Sequence, residues 1–176
     1  MKIKVVILLE EGFRDEEVIY PYYRFIEAGY IVKTAAPVKG REYRGKFGIP
    51  FISDYAAKDI LETKLENIGA VIIPGGFAPD RMRLDKDMVD VVRKANNACK
   101  IVASICHGGS MLVEADIVNN RDVTSYKSIA MDLKNAGGNY IDREVVVDNN
   151  LVTSRVPADL PAFCRSVIIL LQEYNK

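Results

Sequence analysis

Lys100-Ile101-Val102-Ala103-Ser104-Ile105-Cys106-His107-Gly108-Gly109-Ser110 is the stretch on which the reading of this chain turns. Its first six residues make a short, mostly apolar run, which reads as a strand buried on both faces. Small residues follow at once, and a helical pattern runs on through Glu114. Cys106 therefore falls where a buried strand turns sharply into a helix, the setting of a nucleophile elbow. A thiol there faces the helix's first unpaired N–H groups and its positive end, which favour thiolate. Gly108, Gly109 and Ser110 are expected to let the backbone pass close to a substrate. His107 needs more care. Side chains of adjacent residues at a tight turn usually point apart, so a simple Cys106–His107 dyad is not expected, and the His107 backbone N–H carries as much weight as its ring.

The same alternation of short apolar runs and helical patterns extends in both directions. Upstream, residues 3–9 read as a buried strand, 15–28 as a helix closed by Gly29, and 30–36 as a second strand rich in β-branched residues. Gly45, Gly48 and Pro50 among aromatic residues between 40 and 55 indicate a small hairpin. A helix over 56–65 leads to a strand at 70–73, and Asp85 caps a helix that runs to Ala98. Downstream come a short strand near Val123, a helix over 127–136 ended by Gly137-Gly138, and a hairpin pairing 144–147 with 151–154. A last helix starts at Pro157 and runs to the chain's end. This order predicts an α/β doubly wound three-layer sandwich, a mostly parallel sheet with helices on both faces. No repeat, linker or low-complexity segment interrupts it, so residues 1–176 are expected to form a single domain. Ligands of such sheets bind outside the carboxyl ends of the strands, which directs attention to the loops after Leu9, Ile73 and Ile105.

Composition narrows the classes further. Over 176 residues, 24 Lys and Arg balance 24 Asp and Glu, which argues against a nucleic-acid or anionic-membrane partner held by bulk charge. The longest aliphatic runs, such as Val5-Val6-Ile7-Leu8-Leu9, are too short for a membrane span or a signal-peptide core. A single histidine excludes a multi-histidine metal site within the chain, and any imidazole base must be His107. No metal is expected. Cys99 and Cys106 flank a strand that would hold them roughly 20 Å apart, whereas a disulfide needs Cα atoms within about 7 Å. Cys164 lies on the apolar stripe Leu160, Val167, Ile168, Leu171 and is read as core. With no disulfide framework and no export signal, a cytoplasmic location is expected.

The three loops hold the residues that could do chemistry. Asp15 reads as an N-cap and Glu16 as a complement to the helix dipole. Glu17 stands out because Pro21, four residues on, lacks the N–H that would bind its carbonyl, so the helix should bend or restart there. A carboxyl group close to Cys106 would be held protonated by the thiolate and donate a hydrogen bond to it. Pro74-Gly75-Gly76 could supply backbone N–H donors for an oxyanion. Lys46 and Tyr126 are polar residues on loops, which read alone mean only surface.

Together these segments resemble the ThiJ/PfpI family, in particular its PfpI-type intracellular cysteine peptidases. The resemblance is carried by Asp15-Glu16-Glu17-Val18-Ile19-Tyr20-Pro21, Arg44-Gly45-Lys46-Phe47-Gly48 and Pro74-Gly75-Gly76-Phe77-Ala78-Pro79-Asp80-Arg81. It continues through Ala103-Ser104-Ile105-Cys106-His107-Gly108, Thr124-Ser125-Tyr126 and Ser154-Arg155-Val156-Pro157-Ala158-Asp159-Leu160. It implies a flavodoxin-like sandwich related to class I glutamine amidotransferases, with Cys106 as nucleophile on a strained elbow and Glu17 as its buried carboxyl partner. It also implies Gly76 and the His107 N–H as oxyanion donors, and Lys46 and Tyr126 as pocket walls. In PfpI-type members the histidine pairs with an acid of a neighbouring subunit, within a hexamer; the matching residue is Asp80, where a glutamate is usual. His-Gly-Gly-Ser replaces the commoner His-Gly-Pro, and Arg14 stands where an acid is frequent.

The resulting expectation is a cofactor-free cysteine hydrolase, peptidase-like, acting on a small carbonyl or peptide substrate as a homo-oligomer, a dimer or a hexamer. A glyoxalase or protein deglycase acting on methylglyoxal or its adducts is the alternative within the same chemistry. A cysteine-oxidation sensor or chaperone, and a binding domain with a vestigial site, are the alternatives outside it.

Overall fold

The computed structural model describes residues 4–173. Its spine is β1 (Lys4–Leu8), fully buried from Val5 onward. The chain then forms α1 (Asp15–Glu27), returns through β2 (Ile31–Ala36), and makes an antiparallel hairpin of β3 (Glu42–Arg44) and β4 (Pro50–Ile52). A two-residue edge strand, β5 (Tyr55–Ala56), leads into α2 (Ala57–Glu62). Next come β6 (Ile68–Ile73), α3 (Ala78–Met82), α4 (Lys86–Asn97) and β7 (Ile101–Ile105). A 3-10 turn, Cys106–Gly108, joins β7 to α5 (Gly109–Glu114). The remainder is β8 (Asp122–Val123), α6 (Ala130–Asn135), β9 (Asn139–Tyr140), the hairpin β10 (Val145–Asp148) with β11 (Leu151–Ser154), and α7 (Leu160–Glu173).

The main sheet has seven strands in the order β10-β11-β7-β6-β1-β2-β5, with only β10 antiparallel to its neighbour. From β1 the chain steps one way to β2 and β5, then crosses back to β6 on the other side of β1 and continues to β7. With right-handed crossovers, reversing the direction of travel moves the connecting helices to the opposite face. Accordingly α1 packs with α7, and α2 packs with α4. The doubly wound sandwich expected from the sequence is the observed fold. The reversal falls between β1 and β6, where open parallel sheets bind ligands.

Several local expectations hold. Asp85 caps α4, accepting from the Asp87 and Met88 N–H groups at 2.9 and 3.1 Å. Gly29 ends α1 at φ +89°, and both hairpins form. Others need correction. The helix does not restart at Pro21: α1 runs unbroken through it, because its inner face of Glu17, Val18, Pro21 and Phe25 is pinned in the core. Asp15 is not the N-cap; Arg14 holds that position without a side-chain bond. The helix expected over 56–65 stops at Glu62, since Lys64, Leu65 and Asn67 adopt left-handed backbone at φ +50°, +61° and +61°. The helix expected over 127–136 begins as a 3-10 turn, Lys127–Ile129. Ile3, the expected start of the first strand, and the last residues of the final helix lie outside the described residues. Among the described residues, no helix is long and apolar enough to cross a membrane.

Candidate active site

Backbone hydrogen bonds stitch the loops after β1 and β6 to each other. Phe13 and Gly76 form an isolated antiparallel bridge. The Arg14 N–H donates to Gly75 O at 3.1 Å, and the Phe77 N–H donates to Gly12 O at 2.8 Å. Gly76 is at φ +81°, and a Cβ there would sit 2.5 Å from the Arg14 nitrogen, so only glycine permits this seam. The seam brings the first turn of α1 under the end of β6. Glu17, wholly buried, thereby reaches Gly75, whose N–H donates to Glu17 Oε2 at 2.6 Å. Oε1 of Glu17 is buried with no hydrogen-bond partner among the described residues.

Cys106 arrives from β7, next to β6, and sits on the other side of Gly75. A Cβ on Gly75 would lie 2.8 Å from the Cys106 Cβ and 2.9 Å from Glu17 Oε2. Position 75 must therefore be glycine if the Cys106 thiol and the Glu17 carboxyl are to meet, as they do through a side-chain hydrogen bond. Cys106 has φ +60°, a left-handed conformation unfavourable for a side chain and characteristic of functional sites. The strained elbow is present. Its sulfur is buried, the residue only 8% exposed, and the N–H groups of His107 and Gly76 are directed to it.

The expected thiolate is not favoured. Burial, and then the charge of Glu17, push the Cys106 thiol up to about 12, against the backbone N–H groups of His107 and Gly76. Burial likewise raises the Glu17 carboxyl to about 7, opposed by the Gly75 N–H. The following helix, α5, has six residues and is preceded by a 3-10 turn, so its dipole is too small to outweigh these effects. The two groups compete. A protonated Glu17 removes the charge that opposes thiolate, and a charged Glu17 reinforces the thiol.

His107 departs from expectation in the other direction. Its ring does turn to the sulfur, with Nδ1 3.3 Å from Cys106 Sγ. A left-handed φ at Cys106 followed by a 3-10 turn changes the relative direction of the two side chains, which ordinary turn geometry would have separated. Nε2 lies 3.1 Å from Ser128 Oγ, and the ring stacks on Tyr126 at 4.9 Å between centroids. Burial lowers the imidazole pKa; the charge of Asp80 raises it and that of Lys46 lowers it further. Asp80 is exposed on α3 and acts on the same chain's His107 through charge.

These groups surround a cavity of about 500 Å³ that includes Cys106, His107, Glu17, Lys46, Gly76, Asp80 and Tyr126 in its lining. All sequence-selected site residues therefore meet in one place. Lys46 Nζ sits 4.6 Å from the centre of the Phe77 ring, on the rim. Gly108 and Gly109 have a different role from the one expected. A Cβ on Gly108 would strike Ile73 O at 2.6 Å, and one on Gly109 would press on Ile129 at 3.1 Å, so they serve packing of the elbow rather than substrate approach. Three residues received no site role in the sequence reading. Ser128 has no signal beyond its nearness to Tyr126. Phe77, more than half exposed, looks like an ordinary loop residue. Asp15 is a buried clamp: its carboxylate accepts from the Phe47 and Ile49 N–H groups at 2.8 and 2.9 Å and so fixes the loop that carries Lys46.

The residues that build this site fall within a longer match. Positions 3–170 fit the model of the DJ-1/PfpI family. The chain belongs to the DJ-1/PfpI family. The deglycase PH1704 of Pyrococcus horikoshii is 43% identical, over 97% of this chain and 100% of that protein. A Bacillus subtilis protein named "Putative cysteine protease YraA" is 40% identical, over 98% of this chain and 100% of that one. Among solved structures, a two-domain protein of Anabaena variabilis with a DJ-1/ThiJ/PfpI-like and a ferritin-like domain superposes with a TM-score of 0.93 at 36% identity. The match covers 97% of this DJ-1/PfpI chain, which spans about half (48%) of that longer protein.

Proposed function

We propose that this DJ-1/PfpI chain is a cofactor-free enzyme in which the Cys106 sulfur attacks a carbonyl carbon, acting as a deglycase on aldehyde-derived adducts or on methylglyoxal itself. One observation carries the reading: Cys106 Sγ lies 3.3 Å from an imidazole nitrogen, beside a buried carboxyl, in a cavity of about 500 Å³. The thiol proton passes to His107 Nδ1 and sulfur bonds to the carbonyl carbon, whose C=O pair moves to oxygen. The Gly76 and His107 N–H groups, already beside the sulfur, offer hydrogen bonds to that oxygen. With methylglyoxal the adduct rearranges through an enediol to a thioester, and water releases lactate and the free thiol. Glu17, with a pKa near neutrality, can give or take a proton in that sequence.

A thiol held protonated by burial is a modest nucleophile, and an aldehyde accepts sulfur more readily than an amide does. That asymmetry, with relatives named deglycases, favours the aldehyde reading. Peptide hydrolysis is the second reading, favoured by the name of the Bacillus subtilis relative. Oxidation sensing fits less well, because peroxide selects exposed thiolates and this sulfur is neither. Homo-oligomer assembly belongs to the same proposal, supported by Phe77 and Leu84, exposed apolar residues flanking Asp80. So does a cytoplasmic location, supported by the free thiols of Cys106 and Cys164. The test is steady-state turnover of methylglyoxal and of a small peptide amide, side by side, by the wild type and Cys106→Ser. Turnover of methylglyoxal, abolished in the variant, is expected; rates retained by Cys106→Ser would refute the nucleophile.

A further inference from the structure

If Cys106 is the nucleophile, as proposed above, its base is His107, and an imidazole acts as a base at one nitrogen only when its proton sits on the other. Nδ1 faces the sulfur, so the productive tautomer carries its hydrogen on Nε2. Nε2 has a neighbour in the same chain, Ser128 Oγ at 3.1 Å. Ser128 is an exposed residue, yet its position is tied to the elbow. The 3-10 turn Lys127–Ile129 follows Tyr126, whose N–H donates to Cys106 O at 3.2 Å and whose ring stacks on His107. The Ile129 N–H closes the turn onto Tyr126 O at 3.1 Å. Serine, turn and imidazole are thus one connected unit built on the nucleophile's own carbonyl.

We propose that Ser128 is a positioning residue for the reaction: its hydroxyl oxygen accepts the Nε2–H of His107, holds Nδ1 free as the base, and supports the imidazolium once formed. When the S–H bond breaks, its proton passes to Nδ1 and its electron pair stays on sulfur. The Nε2–H bond is never broken; it is donated to Ser128 throughout. The hydroxyl thereby does within one chain what a carboxylate would do more strongly. The other groups facing His107 are Cys106 on its own turn, Arg14 at the start of α1, Glu17 from α1, Asp80 from α3, Lys46 from the β3–β4 loop, and Tyr126. Asp80 and Lys46 act on it with opposite signs.

The test is alkylation of Cys106 by iodoacetamide, located by mass spectrometry, across a pH series in the wild type, Ser128→Ala, Ser128→Thr, Ser128→Asp and Asp80→Asn. Methylglyoxal turnover is followed in parallel. Near neutral pH alkylation reads the small thiolate–imidazolium population; at strongly alkaline pH it reads thiol ionisation without help from the ring. Ser128→Ala is expected to lower the neutral plateau about fivefold, the scale of one lost hydrogen bond, and to leave the alkaline limb in place. Ser128→Thr should match the wild type, and Ser128→Asp should raise the plateau. An unchanged plateau in Ser128→Ala overturns the proposal. So does an equal fall of plateau and alkaline limb, which marks structural damage, or a plateau lost in Asp80→Asn and kept in Ser128→Ala. Alkylation that follows the proposal without any methylglyoxal turnover would refute the deglycase reading and leave the role of Ser128 standing.

Discussion

Glu16 and Glu17 are neighbours in sequence and opposites in setting. Glu16 points outward and pairs with Arg14 at 2.8 Å, whereas Glu17, one residue on around the helix, is wholly buried against Gly75. Burial raises the Glu17 carboxyl to about 7 from its ordinary value near 4.5. Between those values the folded chain holds a proton that the unfolded chain has released, so stability falls as pH rises from about 4.5 to 7. The loss is on the order of 3 kcal/mol at full effect. Urea unfolding at pH 5 and pH 8 should show this slope in the wild type and a flatter one in Glu17→Gln; equal slopes would sink the assignment. The same variant should lose about 100-fold in turnover as a proton partner disappears, while its thiol ionises at lower pH because the carboxylate charge is gone. A second residue-scale expectation concerns Gly75→Ala. Its new Cβ would meet both the Cys106 Cβ and Glu17 Oε2 inside 3 Å, so activity should be lost; circular dichroism matching the wild type would place the damage at the site. Glu17 was legible in the sequence for a reason that proved secondary. Pro21 drew attention to it, yet α1 continues through Pro21, and what matters is the burial that only the β1–β6 seam creates.

Among elements, the β3–β4 hairpin owes its place to one carboxylate on another element. Asp15 opens α1 and receives two N–H groups from the hairpin loop, Phe47 and Ile49, while Gly45 is pressed so close that a Cβ there would collide with it. Asp15→Ala should therefore cost about 2–3 kcal/mol, the range for buried bonds to a charged acceptor, measured by urea unfolding at fixed pH. Because the loop carries Lys46 to the rim of the cavity, the KM for methylglyoxal should rise more than kcat falls; an unchanged KM would separate the clamp from substrate binding. Elements bounded by strong turn chemistry were readable: Gly29 after α1, Asp85 before α4, the Asp148-Asn149-Asn150 corner between β10 and β11. Elements fixed by tertiary contact were not. The two-residue ladders of β5 and β9 are too short to show periodicity, although the short strand expected near Val123 is present as β8. The end of α2 relies on left-handed Lys64, Leu65 and Asn67, which carry no glycine to announce it.

For the whole molecule, the alternation of strands and helices was enough to specify a doubly wound sheet, since few other arrangements bury such strands on both faces. The reversal between β5 and β6 was not, because it depends on which edge of β1 the returning chain finds. That reversal puts the carboxyl ends of β1, β6 and β7 side by side and so assembles the site. With Ser128 already against His107 Nε2, activity per subunit is expected to stay constant as an oligomer is diluted to monomers; activity falling in step with mass would instead assign Asp80 of a second copy to the imidazole. The seam between the loops after β1 and β6 has one more consequence. The Glu17–Gly75 bond joins residues 58 positions apart, and Cys106 follows a further strand, β7, so no local stretch of chain holds Glu17, Cys106 and the Gly75 backbone in register. During refolding, enzymatic competence should be among the last properties to return, after helix content and most of the fluorescence of the tyrosines, because it requires the centre of the sheet to be complete. For this chain, catalysis is a report on the integrity of three strands at once.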